Sequence, residues 1–348
     1  MMLERSGSLS PMESTGLWLD VLEMPEALSR TLDAASGVDE AAAILRDPSV
    51  RRVIATGNGA AYYVAFALAL AALESGAGPE LVALPAGVVA DPRFQWREGD
   101  RLLAISSSGE FKDVVYAIEQ GAPRPIVALT ANASSTLAGL ADAVVLQTVL
   151  HQRAITHTQA LAGALALGLM LWSRVTGIAE LDTIPRSGPA ALEAAIAAAP
   201  SWANEQLGTL PLPVAAASFG GGPAWSSALE TALLLKEIAR IPAEGAETRE
   251  GATSVMYGLN PQHLVFALAT NGDPGFDEAV RICSATGATV LTVPGATSID
   301  RRFSFALHLP ATCAAVAVLA ERAGHDVDDP TWTAAYYATA RDESTEDA

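Results

Sequence analysis

Short apolar runs that end in glycine, serine or proline recur along the chain and alternate with longer stretches of helical character. Val53-Ile54-Ala55 closes on Gly57-Asn58-Gly59, Leu81-Val82-Ala83-Leu84 on Pro85, and Ala104-Ile105 on Ser106-Ser107-Ser108-Gly109. Runs of this kind, rich in Val, Ile and Leu and bounded by turn residues, read as strands buried on both faces of a parallel sheet. The runs also pair at one offset. Gly57 and Gly220 stand 163 positions apart, as do Gly109 and Gly272. The same offset carries Ile126-Val127-Ala128-Leu129 onto Thr289-Val290-Leu291-Thr292, and Val144-Val145-Leu146 onto Leu307-His308-Leu309. The pattern predicts an α/β protein made of two tandem doubly wound, flavodoxin-like parallel-sheet modules related by an internal repeat.

The predicted boundaries follow from the same pattern. A helical arm occupies 1–40, with its helix around Leu17 to Ala35, and the first module spans 41–177. A linker and an alanine-rich helix fill 178–209, the linker marked by Ile184-Pro185-Arg186-Ser187-Gly188-Pro189. The second module takes 210–340, and 341–348 is an acidic tail predicted to be disordered.

Composition narrows the partners. The 348 residues carry 21 basic and 39 acidic side chains, a net charge of −18 that repels phosphate backbones and anionic lipid surfaces, so neither nucleic acid nor membrane is an expected partner. The uncharged stretch between Arg153 and Arg174 is interrupted by Thr156, His157, Thr158 and Gln159 and is rich in alanine and glycine, which fits a buried helix better than a membrane span. Cys283 and Cys313 are too few for a disulfide framework, and the polar N-terminus lacks the apolar run of a secretion signal; a cytoplasmic location is expected.

Ligands of open parallel sheets sit beyond the carboxyl ends of the strands. There, Ser106, Ser107, Ser108 and Gly109 lead into a helix predicted from Asp113 to Gln120, an arrangement that fits either an anion site or a simple helix cap. Gly57, Asn58 and Gly59 leave the first strand, but Tyr62 stands where a dinucleotide fingerprint needs its third glycine, and no acidic residue ends the next strand. NAD is therefore disfavoured and no cofactor is expected. In the second module a helix from Ala228 to Ile238 follows Gly220-Gly221-Gly222 and places Glu230 and Glu237 on one face, stopping just short of Pro242 and turning toward the strand ends. No pair of His or carboxylates has metal-ligand spacing.

Four segments together resemble the double sugar-isomerase (SIS) domain family, typified by the isomerase half of glucosamine-6-phosphate synthase and by fructosamine-phosphate deglycases. Leu22-Glu23-Met24-Pro25 with Ala27-Leu28 is similar to the arm before the first module. Ile105 to Glu110 resembles the phosphate loop, His157-Thr158-Gln159-Ala160-Leu161 the start of a site helix, and Ala228 to Glu244 the family's glutamate segment. The resemblance implies a sugar phosphate held on the serine loop, with Gly57, Asn58, Gly59, Thr158, Gln159, Gly221 and Glu230 among the binding residues. It implies that Glu237 moves a proton between C1 and C2 of the opened sugar, a task suited to a buried carboxylate. It also implies a homodimer.

The departures are specific. Gly59 stands where another phosphate-binding serine is common, Phe111 follows Glu110 where threonine is usual, and the ring-opening histidine aligns near Thr253-Ser254-Val255. His157 is the histidine in a site position and a candidate replacement acid/base, whereas His151, His263, His308 and His325 carry no site signal. The only lysines are Lys112 and Lys236, and the tail from Asp328 to Tyr337 has none, so a Schiff base of the synthase kind is not expected. No glutaminase half is read in these residues, and glutamine-dependent amination is not expected. Arg240 and Arg249 are placed either to meet a substrate anion or to pair with Glu244 and Glu250. The expected function is a divergent sugar-phosphate isomerase or deglycase-like enzyme; the alternatives are a non-catalytic sugar-phosphate sensor and an isomerase of a non-phosphorylated anionic sugar.

Overall fold

The computed structural model describes residues 11–297 and 299–328. The acidic tail and the segment from 329 onward lie outside the described residues. Helices α1 (Gly16–Leu22), α2 (Met24–Ala34) and α3 (Val38–Leu45) lead into β1 (Arg52–Gly57), α4 (Ala60–Ser75), β2 (Glu80–Pro85) and α5 (Ala86–Val89). The first sheet continues with β3 (Asp100–Ile105), α6 (Lys112–Glu119), β4 (Val127–Thr130), α7 (Thr136–Leu140) and β5 (Ala143–Leu146). Two long helices with a short one between them follow: α8 (Thr158–Thr176), α9 (Glu180–Arg186) and α10 (Gly188–Leu207). The second sheet is built from β6 (Ala215–Gly220), α11 (Ala224–Glu237), β7 (Ala243–Glu247), α12 (Thr248–Thr253), β8 (His263–Leu268), α13 (Phe276–Ala285) and β9 (Thr289–Val293), closed by α14 (Ser304–Ala323).

Both sheets are wholly parallel, with orders β2-β1-β3-β4-β5 and β7-β6-β8-β9. Strands that alternate inward and outward side chains must be apolar on both sides, and they are. In the first sheet Val53, Ala55, Leu103 and Ile105 enter the central core, while Ile54, Leu102 and Ala104 face an outer core under α5, α6 and α7. In the second, Leu264, Phe266 and Leu268 point inward, and Phe219, Val265 and Ala267 pack outward against Cys283 and Ala279 of α13. The central core is continuous from one sheet to the other, carried by α2, α4, α8, α10, α11 and α14.

Three expectations need correction. Leu307-His308-Leu309 is not a strand: these residues are fully buried on α14, and the second sheet ends at β9. An apolar run of three residues has no period of its own, and here it belongs to a helix buried on all sides. The Pro185-to-Pro189 cluster is not an irregular linker. Pro185 lies inside the last turn of α9, and Pro189 sits in the first turn of α10, where a missing N–H costs nothing. Helix α11 does stop short of Pro242, at Glu237, but the segment after it runs through Pro242, whose carbonyl accepts from Ala216 N at 2.9 Å, into the amino end of β7 rather than toward strand carboxyl ends.

Helix α8 is buried from Thr158 to Ser173, as the alanine-rich composition implied. The 23 residues from Arg301 to Ala323 have the length and apolarity of a membrane span but are buried inside the protein against α10 and α11.

Candidate functional site

A cavity of about 110 Å³ opens beyond the carboxyl ends of β1 and β3. Its walls come from three parts of the chain. The first sheet contributes Asn58, Gly59, Ser106, Ser107, Ser108 and Phe111. The strap before α8 contributes Ile155, Thr156 and His157, and α11 contributes Glu230, Leu233 and Glu237.

The serine loop is pre-formed by local hydrogen bonds. Ser106 Oγ accepts from Gly109 N at 3.0 Å, Ser108 Oγ accepts from Glu110 N at 3.3 Å, and the Ser107 carbonyl accepts from Ala131 N and Thr130 Oγ1. Each hydroxyl that accepts in this way still has its own O–H to donate. Gly109 allows the turn: its φ is +75°, and a Cβ would lie 2.2 Å from Ser135 Oγ. Glu110 faces away from the cavity, accepting from Thr136 N at 2.9 Å and Thr136 Oγ1 at 2.7 Å.

Gly59, at φ +51°, lies under Leu233 of α11 and brings the two sheets' elements together at the cavity rim. Glu237 closes α11 and is largely desolvated, which raises its carboxyl to about 7; Lys236 and then Thr156 pull the other way. Glu230 is fully buried, 1% exposed, and burial followed by the nearby Glu237 charge holds its carboxyl well above the usual range. Tyr63, on the first turns of α4, is raised to about 12 by burial and then by Glu230 and Glu237.

The strap is fixed from behind. Asp20, 1% exposed, accepts from Arg153 N, Ala154 N and Arg153 Nη1 at 2.7 to 2.9 Å, and Glu23 takes the same guanidinium together with His151 Nδ1. Those partners depress the Glu23 carboxyl to about 2, with the Arg153 hydrogen bond the largest cause. Gln159 completes the lock: its amide donates to the Asp20 and His151 carbonyls and its oxygen accepts from Leu150 N at 2.8 Å.

Of the residues singled out in the sequence, Asn58, Gly59, Ser106, Ser107, Ser108, His157, Glu230 and Glu237 meet in this cavity. Five do not line it. Gly57 packs under Ala61 and the Ile105 carbonyl, and Gly109 packs against Ser135. Thr158 is buried on α8, Gln159 belongs to the lock, and Gly221 lies against Asp273 at the second sheet. Thr156 and Leu233 of the lining were missed, Thr156 being visible only as the residue before His157; so was Tyr63, outside the lining but within reach of the Glu230 and Glu237 charges. Arg249 pairs with Glu278 of α13 rather than with Glu250 or a substrate anion. Among the described residues no three His, Cys, Asp or Glu side chains are grouped to hold a metal.

No family model and no curated protein matches the sequence. Solved structures match across nearly the whole chain. A candidate phosphosugar isomerase from Silicibacter pomeroyi DSS-3 is 25% identical with a TM-score of 0.72, covering 90% of this chain and 100% of its own. The C-terminal domain of glucosamine-fructose-6-phosphate aminotransferase from Francisella tularensis has 17% identity and a TM-score of 0.71, covering 92% of this chain and 100% of its own. Tagatose-6-phosphate ketose/aldose isomerase from Escherichia coli has 16% identity and a TM-score of 0.72, covering 93% and 97%. The fold is that of the phosphosugar isomerase structures.

Proposed function

We propose that the protein is an aldose/ketose isomerase-type enzyme acting on a sugar phosphate or another anionic sugar. The observation that carries this is the meeting of one desolvated carboxylate, Glu237, and a three-serine loop in a single cavity beyond the strand ends. The names of the neighbouring structures support it, two of them being sugar-phosphate isomerases or candidates for that role.

In this reading the substrate anion rests on the Ser106, Ser107 and Ser108 hydroxyls and the start of α6, where O–H and N–H groups converge. The opened sugar extends toward α11. Glu237 removes the carbon-bound proton next to the carbonyl and returns it to the neighbouring carbon. A carboxyl near 7 suits both halves of that exchange, since the base is available at neutral pH and the acid is not too weak to give the proton back. His157, the residue before α8 and part of the same cavity, assists ring opening in this reading.

The test is exchange of the C1 or C2 hydrogen with deuterated water, followed by NMR over a panel of sugar phosphates. Wild-type protein is expected to exchange it. Glu237→Gln is expected to abolish exchange while ligand affinity stays within about tenfold, because the amide keeps the shape but accepts no proton. Binding without any exchange would defeat the enzyme and leave a sugar-phosphate sensor.

A further inference from the structure

Glu230 is a fully buried carboxyl in the cavity wall that the mechanism above leaves idle. It precedes Glu237 by two turns on the same face of α11, lines the cavity, and neither carboxylate oxygen has a hydrogen-bond partner. A carboxylate stripped of water and given no donor is far costlier than the neutral acid. Its surroundings add no relief. Glu237 on its own helix, Tyr63 on α4 and Cys313 on α14 couple to it, all of them acids, and His157 lines the same cavity. With no acceptor among the described residues, the O–H of the neutral acid is available to whatever enters the cavity.

We propose that Glu230 is the second proton-transfer group of the cavity, a neutral carboxylic acid that serves the sugar's oxygens while Glu237 serves its carbons. The proposal rests on the isomerase reading. Starting from an open-chain aldose, Glu237 takes the proton from C2 and the C–H electron pair becomes the C1=C2 bond. The carbonyl electrons move to O1, which takes the proton of Glu230, giving an enediol. Glu230, now a carboxylate, accepts the O2 proton as the C2 carbonyl forms, and the C1=C2 electrons take back the proton held by Glu237 at C1. Both glutamates end as they began, and no oxidant, metal or second substrate is needed for the balance.

Two measurements test this. The first is the infrared spectrum of sugar-free protein at neutral pH with carboxyl-labelled glutamate. Wild type is expected to show a protonated-carboxyl band that Glu230→Gln lacks; its absence from wild type overturns the proposal. The second is turnover of aldohexose 6-phosphates in deuterated water. An amide polarises the carbonyl but carries no proton between oxygens, so Glu230→Gln should keep C2 hydrogen exchange within about tenfold of wild type and lose ketose formation by about 100-fold or more. Glu230→Met, which has no donor, should lose both. Ketose formation at the wild-type rate in Glu230→Gln overturns the proposal while leaving Glu237 and the isomerase reading intact. A wild type that shows the band but exchanges no hydrogen on any sugar phosphate overturns that reading and the transfer role with it.

Discussion

Burial shifts Glu237 and His308 in opposite directions, so they tilt stability with pH in opposite senses, and the difference can be measured. Burial raises Glu237 from 4.5 to about 7, so between those values the folded protein holds a proton that the unfolded chain has released. Stability contributed there is present at low pH and is lost as pH rises through about 7. His308 is buried and pushed down from 6.5 to about 4, so between those values the unfolded chain binds the extra proton and stability rises with pH. Glu237→Gln removes the first effect alone. Denaturant titrations at pH 5 and pH 8 should show the variant gaining about 1–3 kcal/mol on wild type at the higher pH and little at the lower; an unchanged difference between the two pH values would mean the carboxyl is not raised. The serine loop gives a second test. Ser106→Ala with Ser108→Ala removes two donors to a bound anion at about 1.5–3 kcal/mol each, to be seen as weaker sugar-phosphate binding in calorimetry. The serine loop and Glu237 were legible in the sequence because each stands in a recognisable local pattern. Thr156 and Leu233 were not, because what brings them to the cavity is the packing of α4 and the strap against α11, and no local spacing records it.

Elements show the same division. The strand runs at β1, β3, β6 and β8 could be read because each is long enough to end on a turn residue and to repeat its context 163 positions later. Leu307-His308-Leu309 sits at the same offset but lies on α14, where His308 Nδ1 meets Ser227 Oγ at 3.0 Å and Nε2 meets the Ala269 carbonyl at 3.1 Å. One turn on, Thr312 meets Thr231 at 3.3 Å. This polar seam ties α14 to the back of α11, the helix that carries both glutamates. The strap before α8 depends in a comparable way on Asp20. Asp20→Asn should leave Arg153 held by Glu23 and keep an amide oxygen to accept from Arg153 N and Ala154 N, but it removes the charge of a buried ion pair and turns an NH2 donor onto the Arg153 guanidinium. The expected result is a loss of about 1–3 kcal/mol in stability together with weakened ligand binding, since Ile155, Thr156 and His157 hang from that strap. A variant that loses stability but binds sugar phosphate at full affinity would show that the lock supports the fold and not the cavity.

At the scale of the whole molecule, neither sheet owns the cavity. The serine loop belongs to the first sheet and the glutamates to a helix of the second, and they meet because α4 and α11 pack directly on each other with Gly59 beneath Leu233. The two halves also share one uninterrupted apolar core, and the Arg301–Glu74 ion pair at 2.8 Å ties the segment after β9 to the end of α4. Separate unfolding would tear α8, α10 and α14 from one another and expose apolar surface on both sides, so calorimetry should give a single cooperative transition. A ligand bound only to the folded form at 100 times its Kd adds about 2.7 kcal/mol, which moves that one transition upward by several degrees without splitting it. Glu237→Gln should show the same ligand-induced rise, because it removes the carboxylate proposed to shuttle the proton and keeps the shape of the cavity. If two transitions appeared and sugar phosphate raised only the first, the cavity would have to be built from one half alone, and the assignment of α11 to its wall would fail.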